Sequence, residues 1–246
     1  RGLDPKRIMA ELTGREDGYS AGKGGSMHMF SKENNFYGGH GIVGAQVPIG
    51  TGIAFTHKYN GEKNICRTYI GDGAMNNGQV FEAFNLAALW KLPVLYIIEN
   101  NKYGMGTSVD RAAAGLDLYK RGEAFGIPGE KVDGMNVFSV IEAADKAGKY
   151  VREGNGPYII EVQTYRYRGH SMSDPAKYRT KEELDNYKQT DPIEIVKAEI
   201  LKKKIATNDE IEKINKDTLE EIKNAAEFAT NSPFPKDSEL YTDVYL

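Results

Sequence analysis

Asp72 stands between two glycines, Gly71 and Gly73, and Asn100-Asn101 follows after residues 74–99. A carboxylate and a carboxamide are hard oxygen donors, and with neighbouring backbone carbonyls they suit magnesium holding a diphosphate. Asn34-Asn35 precedes the Gly-Asp-Gly turn, and Asn76-Asn77 comes too soon after it to close a second strand. Asn100-Asn101 is therefore the pair that matters. His28, His40 and His57 have no cysteine or histidine partner at zinc spacing, so no zinc site is expected.

The flanking residues say how Asp72 and the asparagines are brought together. Cys66 to Ile70 is rich in β-branched and aromatic residues and reads as a strand that Gly71-Asp72-Gly73 breaks. From Gly78 to Trp90 the apolar period changes, with Val80, Phe84 and Ala87 at helical spacing. Val94 to Ile98 is a short continuous apolar run after Pro93, the kind of strand covered on both faces inside a parallel sheet. Strand, helix and strand make a right-handed βαβ unit with parallel strands. Asp72 and Asn100-Asn101 then lie just past two carboxyl ends, the edge where open α/β sheets bind ligands. The helix after Asp72 is expected to turn its amino-terminal N–H groups and dipole toward an anion there.

The rest of the chain reads in order. Pro5 to Gly14 is a short helix with Ile8, Met9 and Leu12 on one side. Residues 15–52 are dense in glycine, which permits close backbone approach to a ligand or a neighbouring chain. Gly39 to Gly44 matches G-x-G-x-x-G, but the residues before it are polar and aromatic rather than an apolar strand, so no nicotinamide or flavin site is expected. Val47 to His57 reads as a helix whose Gly50 and Gly52 admit a close neighbour, within the chain or across a subunit interface. Residues 102–126 read as a loop with short helical pieces. Lys131-Val132-Asp133 leads through 137–140 to a helix over 141–153, and Tyr158 to Tyr165 is a further strand. Its end carries Arg166-Tyr167-Arg168-Gly169-His170-Ser171, again at a carboxyl edge. Beyond Asp174-Pro175 the chain turns charged, and 180–230 reads as two or three amphipathic helices whose apolar stripes suit the sheet or a partner.

These segments also carry a resemblance. The Gly-Asp-Gly to Asn-Asn spacing looks like the thiamine-diphosphate motif. The stretches KGGSMHMF, FYGGHGIVGAQ, ENNKYGMGTSVDRAA and TYRYRGHSMSDP are similar to α subunits of the pyruvate dehydrogenase component, in the thiamine-diphosphate-dependent 2-oxo-acid dehydrogenase family. The likeness covers the chain to about Arg179. It implies the thiamine-diphosphate-binding α/β fold, mainly parallel with helices on both faces, over 1–179, and a helical C-terminal region over 180–246 packed on it. It implies decarboxylation of pyruvate with thiamine diphosphate and magnesium, and transfer of the acetyl unit to the lipoyl group of an acyltransferase component.

Residue by residue, the resemblance assigns Asp72, Asn101 and the backbone carbonyl of Tyr103 to magnesium. It assigns the backbones of Gly41 and Val43 to the aminopyrimidine ring, and counts Gly73 and Ala74 among the cofactor-binding residues. Met105 becomes the apolar wedge that bends the cofactor, and His170 a catalytic residue beside the diphosphate and reacting carbon. From the residues alone, Met105 reads first as a core methionine, and His170 as readily as a surface-loop histidine. The family's activating glutamate comes from a β subunit, and no glutamate here has the matching context, so two α and two β chains are expected. A tyrosine–arginine pair belongs just upstream of Arg1, so the sequence reads as a piece of a longer chain. Ser108 and Ser171 match serines phosphorylated in eukaryotic relatives. Competing readings are the α subunit of a branched-chain 2-oxo-acid or acetoin dehydrogenase, or a noncatalytic subunit that keeps the fold.

Bulk properties narrow the class further. The 246 residues hold 32 Lys and Arg against 35 Asp and Glu, which gives no electrostatic ground for nucleic acid or an anionic membrane. No apolar run is long enough to span a bilayer. A single cysteine favours a reducing compartment. The KYRT wording resembles alphaproteobacterial members, which implies the cytoplasm; a eukaryotic source would imply the mitochondrial matrix.

Overall fold

The frame of the site is a four-stranded parallel sheet. In the computed structural model, which describes residues 1–242 and 244, it is built from β1 (Cys66–Gly71), β2 (Val94–Asn100), β5 (Gly129–Asp133) and β6 (Tyr158–Gln163) in the order β1-β2-β6-β5. All three pairings are parallel. A small antiparallel hairpin, β3 (Tyr103–Gly104) with β4 (Thr107–Ser108), follows β2 directly.

Alternation along β2 sends its side chains into two separate cores. Val94, Tyr96 and Ile98 pack with Val47 and Ala54 of α2 (Gln46–Tyr59) and with Phe84 of α3 (Gly78–Leu89). Leu95 and Ile97 pack on the opposite face with Ala143, Ala147 and Val151 of α5 (Val137–Arg152). Helices on both faces bury Val94 to Ile98, as that continuous apolar run requires. Each large side chain buried here contributes on the order of 1.5–3 kcal/mol. The Tyr96 hydroxyl is paired with Thr51 Oγ1 at 2.7 Å, so its burial leaves no polar group unmet. Burial pushes its pKa well above the ordinary tyrosine range, and the phenol stays protonated.

Several local readings need correction. β1 is an edge strand with alternating burial, its Tyr69 half exposed, and Cys66 is only partly buried. The helix after Asp72 begins at Gly78, where the sequence period changes, but it is set off from the turn that carries Asp72. A 3₁₀ turn, Ala74–Asn76, intervenes, anchored by buried Ala74 and Met75. Gly129–Asp133 is a full strand at the other edge, and α5 begins at Val137, capped by the Asn136 side chain on the Phe138 N–H. Residues 102–126 hold the hairpin, the short α4 (Val109–Ala112) and a 3₁₀ helix, Leu118–Phe125.

The chain divides elsewhere than at residue 179. One unit is 42–199 and the other combines 1–41 with 200–246. Three helices occupy the charged tail, α6 (Lys181–Lys188), α7 (Pro192–Lys202) and α8 (Asn208–Asn231), the last opened by a capping box of Thr207 and Glu210. Within the second unit α8 packs on α1 (Pro5–Leu12) through Ala225 and Ala229, while Ile214, Leu219 and Ile222 remain exposed. The buried face of α1 centres on Ala10 and Glu11, with Leu12 half exposed.

The glycine-dense stretch has an internal occupant. The buried Glu11 carboxylate accepts four backbone N–H groups, from Ser20 at 2.7 Å, Gly22 at 2.9 Å, Gly24 at 2.7 Å and Gly25 at 3.0 Å. Four donors make up for the water that a buried carboxylate loses. Gly22, at φ +73°, turns its backbone against Gly14 and Arg15 so closely that a Cβ would lie 2.6 Å from the Gly14 carbonyl carbon. Gly50 sits on β1, where a Cβ would strike Thr68, so its closeness serves packing within the chain; Gly52 faces open space.

Candidate functional site

Two loops converge at the carboxyl edge of β1 and β2. Asp72 follows the last residue of β1 and is 2% exposed. β2 runs on through Asn100, which pairs in register with Gln163, so Asn101 is the first residue beyond it. The backbones of Gly73 and Gly104 lie side by side: a Cβ built on Gly104 would come 3.4 Å from Gly73 Cα and 3.9 Å from Asp72 Oδ2. The turn that carries Asp72 thus abuts the loop that carries Asn101 and Tyr103.

Burial pushes the Asp72 carboxyl above the usual aspartate range. The N–H groups of Asp72 and Asn101 and the charges of Arg166 and Lys102 offset that only in part. A carboxylate so placed is stabilised by any cation that reaches it.

The Asn101 loop is held in a strained shape by short local bonds. Asn100 Oδ1 accepts the Lys102 N–H at 3.1 Å, and Asn101 Oδ1 accepts the Tyr103 N–H at 3.2 Å. Lys102 and Met105 both sit at positive φ, +75° and +53°. Each such residue costs on the order of 1–3 kcal/mol and persists only where its surroundings impose it. Met105 is 64% exposed. That excludes a core role for it.

Arg166, at the end of the segment after β6, clamps this loop. Its Nη2 donates to the Met105 carbonyl at 2.6 Å and to the Tyr178 hydroxyl at 2.8 Å, and its Nη1 donates to the Tyr103 carbonyl at 3.3 Å. Tyr178 in turn donates to Asp174 Oδ2 at 2.8 Å, and Asp174 also accepts the N–H groups of His170 and Ala176. Those three donors hold the Asp174 carboxyl below the usual aspartate range. The Tyr103 hydroxyl donates to Glu183 of α6 at 3.0 Å. Desolvation and that carboxylate push its pKa up to about 12. Arg179 closes the loop's base by donating to the carbonyls of Arg166 and Tyr167.

Of the residues singled out in the sequence, Asp72, Gly73, Asn101, Tyr103 and Met105 come together on these two loops, with Ala74 buried behind the first. His170 is exposed on the loop after β6, attached through its backbone rather than its ring. Val43 is exposed, and its carbonyl accepts from Asn77 Nδ2 and Gln79 Nε2, each at 3.1 Å. Gly41 belongs to the other unit, beside His28.

The family model for the dehydrogenase E1 component matches residues 1–238. The chain belongs to that family. It is 59% identical over 99% of its length to the "Pyruvate dehydrogenase E1 component subunit alpha" of Rickettsia felis, covering 75% of that protein. It is 58% identical over its full length to the protein so named in Rhizobium meliloti, covering 71%. The relative named "Pyruvate dehydrogenase E1 component subunit alpha, mitochondrial" from Dictyostelium discoideum is 56% identical over the full chain, covering 65% of that protein.

For this E1 chain the donor set fits a diphosphate-bound magnesium. Among the described residues no group of three or more His, Cys, Asp or Glu could hold a metal. A lone buried carboxylate with amide and carbonyl oxygens suits an ion that takes most of its ligands from a phosphate. Asn101 Oδ1 and the Tyr103 carbonyl each have one hydrogen bond and a second lone pair free by valence. Sequence reasoning missed the Arg166–Tyr178–Asp174 clamp, because the partners of Arg166 that define it lie 12–63 positions away. Among the described residues no helix is long and apolar enough to cross a membrane.

Proposed function

We propose that this chain is the α subunit of a pyruvate dehydrogenase E1 component. It acts in a thiamine-diphosphate-dependent decarboxylation of pyruvate, with acetyl transfer to the lipoyl group of an acyltransferase partner. The observation that carries the reading is the meeting of the buried Asp72 with the Asn101–Gly104 loop at one sheet edge, in a chain 58–59% identical to proteins of that name.

In this reading Asp72, Asn101 and the Tyr103 carbonyl hold magnesium, and Gly73 and Ala74 line the diphosphate. Gly41 and Val43 offer backbone groups to the aminopyrimidine. When bound, thiamine diphosphate supplies a ring that takes up the electron pair left as carbon dioxide departs. Met105, apolar and exposed at φ +53°, presses on the cofactor to set its shape. His170 holds a proton beside the reacting carbon during transfer. Arg166 keeps the Tyr103–Met105 loop in place, and its charge counters that of the diphosphate. The activating glutamate comes from a β subunit in an assembly of two α and two β chains. The compartment is the bacterial cytoplasm.

The test is copurification with a β subunit, then calorimetric titration of thiamine diphosphate with and without magnesium, and turnover of pyruvate, a branched-chain 2-oxo acid and acetoin. Magnesium-dependent binding and preference for pyruvate are expected. Binding indifferent to magnesium would remove the site assignment, and preference for another substrate would replace pyruvate.

A further inference from the structure

Glu161 is the one charged residue of β6, and it is fully buried. Register places it beside Ile98 of β2. Its side chain therefore shares the sheet face of Asn100, two residues further along, which is itself 1% exposed. A carboxylate here is costly unless each oxygen finds donors, and both do. Oε1 accepts Asn100 Nδ2 at 2.8 Å and Gln163 Nε2 at 2.5 Å, and Oε2 accepts the Tyr119 N–H at 3.0 Å.

Each oxygen leads to one arm of the site. Through Oε1, Glu161 fixes the Asn100 amide so that Asn100 Oδ1 meets the Lys102 N–H, which shapes the loop presenting Asn101 and Tyr103. Lys102 Nζ also reaches Gln163, so the same cluster grips this loop twice. Through Oε2, Glu161 secures the start of the 3₁₀ helix Leu118–Phe125. Two residues on, Arg121 Nη1 donates to the Met75 carbonyl at 2.6 Å, in the turn that directly follows Asp72 and Gly73.

We infer that Glu161 is a positioning residue that sets the separation of the two ligand arms, Asp72 on one side and Asn101 with Tyr103 on the other. The inference rests on the reading of this edge as a magnesium–diphosphate site. Near-octahedral magnesium tolerates little error in donor placement, and groups behind the ligands commonly alter metal affinity 10- to 100-fold. Glutamine in place of Glu161 keeps the volume but replaces one acceptor oxygen with an NH₂ that must face Asn100 and Gln163 or the Tyr119 N–H. One arm then loses its anchor.

The experiment uses the assembled enzyme of α and β chains. Calorimetry measures the magnesium concentration for half-maximal thiamine diphosphate binding, and amide hydrogen exchange without cofactor follows residues 73–76 and 100–105. Glu161→Gln is expected to raise the magnesium midpoint at least about tenfold and to speed exchange in both segments. A control in the same strand, Ile160→Val, lowers Tm without moving that midpoint. If Glu161→Gln fails to assemble, Arg121→Gln and Asn100→Ser each release one arm, and each is expected to raise the midpoint. An unchanged midpoint in Glu161→Gln, or in both single-arm variants where it does not assemble, overturns the inference. So does an Ile160→Val midpoint that moves as far. Failure of wild type to bind thiamine diphosphate in a magnesium-dependent way would overturn the functional reading instead.

Discussion

Asp72 shows how a single buried carboxylate can be costly to the fold and, in the proposed site, necessary to the metal. Its pKa is raised by burial. The native state therefore holds this proton more tightly than the unfolded chain, and stability falls as pH rises through the unfolded value toward the folded one. Asp72→Asn removes that loss, so the empty variant should melt at a higher temperature than wild type at neutral pH while losing magnesium-dependent cofactor binding by about 100-fold or more. Differential scanning calorimetry and titration on the assembled enzyme check both halves. In wild type the same sign makes magnesium-dependent affinity weaken on acidification at a pH above the ordinary aspartate range. Met105 gives a second test at this scale. Met105→Gly relieves about 1–2 kcal/mol of left-handed strain and adds about 0.5–1 kcal/mol of unfolded-state entropy, so stability should rise by less than about 1.5 kcal/mol. Pyruvate turnover should nevertheless fall at least about tenfold, since the wedge proposed for Met105 is gone; unchanged turnover would return Met105 to a passive loop residue.

At the scale of elements, the segment after β6 is one connected unit. Arg166, Tyr178 and Asp174 link the Tyr103–Met105 loop to the backbone of His170. Arg166→Gln removes the guanidinium fork and leaves the carbonyls of Tyr103 and Met105 without their donor. Limited proteolysis should then cleave at Arg168 in the assembled, cofactor-loaded enzyme, where wild type is protected. Ser171 lies next to His170, with its hydroxyl 3.1 Å from that of Ser173. A phosphate there adds about −1.5 to −2 charge close to Asp174 and to the anionic ligands proposed for the site. Ser171→Glu is accordingly expected to cut activity far more than Ser171→Ala and to lose cofactor protection of the loop. Equal activity of the two variants would detach this loop from the active site.

For the whole molecule, the proposed unit of function is larger than this chain. The described residues offer a carboxylate and amides for a metal but no glutamate in the family's activating context. Ile42 and Val43 stand exposed next to each other, and Phe55, Tyr59 and Trp90 form an exposed aromatic group between α2 and the end of α3. The purified chain alone, given thiamine diphosphate and magnesium, should decarboxylate no pyruvate, and the β subunit should restore turnover. Carbon dioxide release by the single chain would refute the division of labour.

How much of this was legible beforehand follows from the range of the interactions involved. The parallel βαβ unit, the buried β2 and the placement of Asp72 and Asn101 at one edge rest on local signals: a continuous apolar run, a change of period, a Gly-Asp-Gly break. Such signals lie within a few residues of what they determine. The edge position of β1 was not readable, because exposure depends on which strands pair and on which side. The strand Gly129–Asp133 was missed because its sequence, GEKVD, has one buried residue and is recruited by pairing with β6. The job of the early glycines was misjudged for the same reason, since nothing adjacent to Ser20–Gly25 announces that Glu11 will fill the space. Tertiary structure alone decided Arg166 on Tyr103 and Met105, and Glu161 beneath Asn100. Each joins residues about 60 positions apart, and only the folded sheet makes them neighbours.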